Sequence, residues 1–112
     1  RAVSNFMKHQ TEEIVAPILE EKLRISGKAI SSVRYRKMRK WGYCTSDRRI
    51  KFNACLSMLP QPIIEYIVSH EVSHLIELNH SKKFWKVVGG LCPNYNELRK
   101  ELKKYNVEAS QG

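Results

Sequence analysis

Apolar residues recur at helical spacing from Ser4 to Arg24. Phe6, Met7, Ile14, Val15, Ile18, Leu19 and Leu23 share one side, while Glu12-Glu13 and Glu20-Glu21 face outward. Pro17 inside this run predicts a kink or a break into two helices, and Gly27 ends it. From Ala29 to Met38 the period changes to two, with Val33 and Tyr35 alternating against Arg34 and Arg36, which predicts a strand. Further strands are predicted at Trp41 to Ser46 and at Arg49 to Asn53, joined into a hairpin by a turn at Asp47-Arg48. Pro62 suits the first turn of the next helix, which Ile63, Ile64, Ile67, Val68, Leu75 and Leu78 carry to about Asn79. Ser81 is a good N-cap for a short helix through Val88, stopped by Gly89-Gly90. Tyr95, Leu98, Leu102 and Tyr105 mark a last amphipathic helix, and the tail Ala109 to Gly112 is expected to fray. The order is a helix, a meander of strands, then helices: an α+β fold rather than a βαβ one. No repeat, low-complexity tract or Pro/Gly/Ser linker divides the chain, so one domain is expected over residues 1–112.

Composition narrows the function. At 42 % hydrophobic and 28 % charged, the 112 residues are those of a folded protein. Apolar runs such as Ile63-Ile64 or Ile67-Val68 fall far short of the roughly 20 residues a membrane-spanning helix needs, so no membrane partner is expected. Cys44, Cys55 and Cys92 are an odd number without CxxC spacing, which argues against a disulfide framework and a cysteine zinc ribbon. Reduced thiols and the lack of a charged-then-apolar leader point to a cytoplasmic location. Of the eleven acidic residues only Asp47 is aspartate, which disfavours Asp-rich calcium loops and Asp-built two-metal sites.

The chemistry concentrates in His70-Glu71-Val72-Ser73-His74, an H-E-x-x-H segment on the long apolar helix. Four residues along a helix is about 400°, so the two imidazoles stand one turn apart on one face. Both can then reach one zinc ion at roughly 2.0–2.1 Å. Glu71 lies about 100° round from His70, beside the metal rather than on it, where a general base for zinc-activated water belongs. With four His among 112 residues, the pattern arises by chance in about one such chain in a hundred. The flanking Val68, Val72, Leu75, Ile76 and Leu78 make the helix mostly buried, where an unliganded His-Glu-His set is costly.

A catalytic zinc usually takes three protein ligands and keeps an open position. Glu77 shares the face of His70 and His74 but lies about 10 Å along the axis from His70, too far for one metal. His80 would also be too far on a continuous helix, about 9 Å beyond His74. It reaches the site only where the chain folds back, which Asn79 as a left-handed cap and Ser81 as the next N-cap allow. Glu97 or Glu101 on the last helix is the alternative, in the manner of zinc peptidases with a distant glutamate ligand.

Residues 38 to 105 resemble the YgjP-like metal-dependent hydrolases and their short relatives, the minigluzincins. The resemblance rests on Trp41-Gly42-Tyr43-Cys44, Phe52-Asn53, the segment Tyr66 to His74, Asn79-His80-Ser81-Lys82-Lys83-Phe84-Trp85, and Cys92-Pro93-Asn94-Tyr95. It implies a zincin-like fold and peptidase chemistry on peptide or protein substrates. Zinc would be held by His70, His74 and His80, with Glu71 as the base. Lys40, Tyr43 and Thr45 stand where the family usually has Arg, Ser and Ser, on the strand that borders the substrate cleft in zincins. Tyr43, Cys44 and Asn53 are candidate substrate contacts, with turn chemistry an equal account of Asn53 at the end of its strand. In the short relatives a C-terminal segment can block the cleft, so latency through the region beyond Pro93 is expected to be open to this chain.

Other residues read as ordinary. Trp41 and Trp85 are expected in packing, Tyr66 and Tyr95 as packed tyrosines or oxyanion donors, Cys44 as a structural thiol, and His9 as a surface residue. The formal charge of +9 is the feature this scheme absorbs least. It suits acidic substrates, and it keeps a second reading in play: a basic nucleic-acid-associated module with a structural zinc, or a DNA-associated protease of the kind that the distantly similar WLM and SprT-like proteins represent. A hydrolase of non-peptide amide bonds is a third. A monomer is expected.

Overall fold

The computed structural model describes residues 5–105. Helix α1 runs from Asn5 to Ser26, followed by strands β1 (Ser32–Arg36), β2 (Gly42–Cys44) and β3 (Arg49–Asn53) and a 3₁₀ turn at Leu56–Met58. Helices α2 (Gln61–Ser73), α3 (Lys82–Leu91) and α4 (Tyr95–Leu102) complete the α+β fold. The expected start of α1 at Ser4 and the tail Ala109 to Gly112 lie outside the described residues.

Helix α1 passes through Pro17 without the expected break. Pro17 is exposed, so the carbonyl it deprives of a partner can turn to water, while Val15, Ile18 and Leu19 anchor the helix on either side. Thr11, fully buried, donates from Oγ1 to the Ala54 carbonyl at 2.7 Å and accepts from the Ser57 amide at 3.1 Å, tying α1 to the chain after the sheet. Gly27 ends α1 at φ 72°, a left-handed position, with its amide on the Leu23 carbonyl at 2.9 Å.

The three strands are not a meander. The order is β1-β3-β2, with β1 parallel to β3 in the register Val33 to Ile50, and β2 antiparallel to β3 in the register Tyr43 to Lys51. The expected hairpin is present, its turn closed by Arg48 N–H to the Thr45 carbonyl at 3.1 Å with Arg48 at φ 67°. What the alternation pattern could not supply is the segment from Lys37 to Trp41 crossing the end of β3. Asn53 holds that crossing: its Nδ2 donates to the carbonyls of Met38 at 2.8 Å and Lys40 at 3.0 Å, and its Oδ1 accepts from the Cys55 amide. Its own amide donates to the Trp41 carbonyl.

Helix α2 is the central element, packed against α1, α3, α4 and β2. Ten of its 13 residues are buried, so it is enclosed nearly all round. Its apolar side chains join those of α1, the sheet, α3 and α4 in one cluster that includes Tyr35, Phe52, Ile67, Phe84 and Leu98. Helix α3 continues through Gly89-Gly90, where a stop was expected. Val88 and Leu91 bury its flanks, and the Tyr95 ring packs so close to Gly89 that an added Cβ would lie 3.4 Å from it. Packing outweighs the poor helix propensity of the pair. Among the described residues no helix is long and apolar enough to cross a membrane.

Candidate metal centre

Helix α2 ends at Ser73, with His74 as its C-cap, rather than near Asn79. His74 keeps helical backbone angles, φ −67° and ψ −14°, so the one-turn relation to His70 survives. Beyond it the backbone tightens: the Leu75 amide bonds the Val72 carbonyl and the Ile76 amide that of Ser73. His74 Nδ1 meets the Glu77 carbonyl at 3.1 Å, fastening the turn to the ring it follows. The chain thus folds back early enough to return His80 to the helix face. Ser81 then caps α3 as expected, its Oγ accepting from the Phe84 amide at 3.3 Å.

The result is convergence of three Nε2 atoms. His80 Nε2 lies 3.3 Å from that of His70 and 3.2 Å from that of His74. Among the described residues these three side chains form the group able to hold a metal ion. The donor spacing fits such an ion. Nitrogens in a tetrahedral arrangement about 2.05 Å from a centre stand about 3.3 Å apart. Without a cation, three ring nitrogens of which each can donate or accept but not both would crowd one another. His70 and His74 are buried while His80 is exposed, so the centre is open on one side, as a catalytic rather than a closed structural site requires.

The rings are held from behind. Phe84, fully buried, stacks on His74 at 4.5 Å and meets the edges of His70 and His80 at 4.9 Å. Trp85 lies against His80 at 6.0 Å, nearly parallel. The Tyr66 hydroxyl stands 3.5 Å from His70 Nδ1 and the Glu77 carbonyl 3.1 Å from His74 Nδ1, so the Nε2 atoms are the ones turned toward His80. Burial pushes the Tyr66 phenol above its ordinary range. Tyr66 is thus a partner of a metal-site histidine, a position that its spacing one turn ahead of His70 signalled.

Glu71 is wholly buried, and among the described residues neither carboxylate oxygen has a hydrogen-bond partner. Burial raises its carboxyl well above the ordinary carboxylate range, with the Lys40 ammonium pulling the other way. A metal cation beside it favours the ionised form. The carboxylate lies against Gly42: a Cβ added there would sit 2.8 Å from Oε2 and 2.9 Å from Cγ. Gly42 therefore shapes the site without contributing a side chain. A glycine inside a strand pattern is the signal for such a close approach.

The other candidates separate. Tyr43 is exposed on β2, with the Lys40 amine 5.2 Å from its ring centroid. Cys44 is half-buried, its thiol pushed up to about 12 by burial and by Glu71 and Asp47, which keeps it a neutral thiol. Asn53, expected at the cleft, is buried and occupied with the crossing described above. Glu97 and Glu101, the alternative ligands, are exposed on α4, and Glu101 pairs with Lys104 at 3.3 Å. His9 is a surface residue beside Glu12. Trp41 is buried as expected.

The fold is similar to that of abylysin, a metallopeptidase zymogen of Pyrococcus abyssi. The TM-score is 0.76 over 88 % of this chain and 99 % of that one, at 22 % sequence identity. A UTP pyrophosphatase of Escherichia coli (strain K12) is 32 % identical over 53 residues, which are 47 % of this chain and 32 % of the relative. The YgjP-like family, described as a metallopeptidase domain, matches residues 1–105, and the chain belongs to that family.

Proposed function

We propose that the protein is a zinc-dependent peptidase in which Glu71 is the general base. The observation that carries this reading is the meeting of three Nε2 atoms, two of them 3.2 and 3.3 Å from the third, with the fully buried carboxylate of Glu71 adjacent in sequence to one of them and packed against Gly42. A metal held by His70, His74 and His80 supplies Lewis acidity, polarising a scissile carbonyl and acidifying water. Glu71 accepts the proton of the attacking water as the new C–O bond forms, then passes it to the leaving nitrogen as the C–N bond breaks. Its buried setting keeps that proton from exchanging with bulk water between the two transfers. Strand β2 is a sheet edge beside Glu71; Tyr43 spends its backbone groups on Lys51, so an extended peptide would align on those of Gly42 and Cys44. The segment beyond Pro93 lines a hollow that begins at His80 with Tyr95, Asn96 and Arg99 and leaves it open, so a latent form would need that segment to shift over His80.

The test is zinc content of protein purified without chelator, together with cleavage of a peptide library by wild type and Glu71→Gln. The variant is expected to keep its zinc and lose turnover; unchanged turnover would overturn the role of Glu71. A second reading, hydrolysis of a nucleotide phosphoanhydride as in the name of the Escherichia coli relative, draws on the cations Lys82, Lys86 and Arg99 beside His80. UTP belongs in the same assay. Association with DNA or RNA through the +9 charge is checked by the salt dependence of binding.

A further inference from the structure

A hollow of about 700 Å³ opens at His80 and runs between α3 and α4. Its walls carry Lys82 and Lys86 from α3 and Arg99 from α4, its floor is Trp85 with Tyr95, and no carboxylate lines it. None of the three cations is ion-paired among the described residues. Lys86 also borders a neighbouring hollow that contains Glu77, so the charge of Lys82 and Arg99 is the less shared. Arg99 is already positioned: its guanidinium lies 4.3 Å from the centre of the Trp85 ring, and that ring stacks on Tyr95 at 5.5 Å and 16°. A guanidinium over an aromatic ring still has N–H groups for a planar, bidentate partner, and a carboxylate is such a partner.

The separation from His80 bounds what can enter. Trp85 and His80 are separated by 6.0 Å between ring centres. An extended peptide advances about 3.3 Å per residue, so the hollow receives the side chain one or two positions from the bond being cut. We propose that this hollow is the subsite that selects an acidic side chain, Glu or Asp, on the substrate of the peptidase. The inference rests on the peptidase reading for the word substrate, and on the charges, the stacked guanidinium and the contact with His80 for the choice of acid. It also accounts for part of the +9 charge as recognition rather than general solvation.

The experiment uses blocked hexapeptides, neutral except for one Glu moved along the chain, each with a Gln twin. Binding to the zinc-loaded Glu71→Gln protein is measured by calorimetry, and kcat/KM is measured with wild type. One or two adjacent positions are expected to favour Glu over Gln by about tenfold in both measurements, less so as salt is raised. Lys82→Gln/Lys86→Gln, at exposed helix positions, removes two of the three cations and is expected to cut that preference several-fold by weakening the Glu peptides, with Arg99 keeping the remainder. Equal binding of Glu and Gln at every position overturns the proposal, and so does a double variant that weakens both peptides alike. If the Gln twins are cleaved without preference, the subsite fails and the peptidase stands. Selective binding of Glu without any cleavage by wild type leaves the subsite in place and removes the peptidase. If UTP binds through the same two lysines and the Glu peptides gain nothing, the occupant is a nucleotide and the proposal falls.

Discussion

Gly42 and Glu71 form one object built from two distant residues. The side chain that glycine lacks would occupy space the carboxylate already fills, 2.8 Å from Oε2. Gly42→Ala must move either the strand or the carboxylate, at about 1–3 kcal/mol for overpacking. A shift of the base by about 1 Å is expected to lower kcat/KM about 10²-fold. Zinc content should be unchanged, since the three histidines are untouched. Pairing the change with Glu71→Ala vacates the space, so the double variant is expected to regain most of the lost stability in urea titration; additive losses would refute the contact. Tyr66→Phe removes a hydroxyl 3.5 Å from His70 Nδ1 and leaves the buried ring. Zinc affinity, read by competition with a chelating dye, is expected to drop about tenfold with little change in unfolding. The meeting of His70, His74 and His80 was legible because helical spacing sets the first two and the Asn79-to-Ser81 break lets the third return. Asn53 was legible only in part: its turn bond to the Cys55 amide is local, whereas its bonds to Met38 and Lys40 depend on the path of Lys37 to Trp41.

At the scale of elements, local signals and packing divide the work differently. The α1 stop at Gly27, the Ser81 cap and the turn at Asp47-Arg48 are short-range devices, and all three stand where the residues place them. The end of α2 at Ser73 was hidden, since Leu75 and Leu78 continue the apolar period past it. There the periodicity lost to the bond between His74 Nδ1 and the Glu77 carbonyl and to the tightened turn. The insertion of β3 between β1 and β2 is likewise invisible to alternation, which says which face is buried and not which strand is the neighbour. Lys22 shows the same limit. It lies within α1 with 8 % exposure and donates from Nζ to the carbonyl of Leu91, the last residue of α3, at 2.7 Å. A lysine in a helical pattern reads as solvated, yet this one caps another helix. Lys22→Met keeps the stem and strips the buried carbonyl of its donor, so unfolding free energy is expected to fall by about 1–3 kcal/mol at an unchanged urea m-value. Lys28→Met, at an exposed position just past α1, is the control and should leave stability within about 0.5 kcal/mol.

For the molecule as a whole, the three-histidine group ties the buried α2 to the exposed return that precedes α3, beside the packing that Phe84 already provides. His70 and His74 belong to the buried α2, whereas His80 sits on an exposed return between α2 and α3. A ligand that binds only the folded arrangement adds RT ln(1 + [L]/Kd), about 2.7 kcal/mol at a hundred times Kd. For a chain of this length that corresponds to roughly 10 °C in Tm. Chelation of the wild-type protein is therefore expected to lower Tm by about that amount, and added zinc to restore it. The apolar cluster from α1 to α4 does not depend on the ion, so the metal-free protein should still unfold cooperatively in calorimetry. His80→Ala separates the two contributions. Its side chain is exposed, so the variant is expected to match metal-free wild type in Tm while losing most of the response to zinc. A full zinc response in His80→Ala would place the third ligand elsewhere. Collapse of the metal-free variant would mean that His80 serves the fold more than the ion.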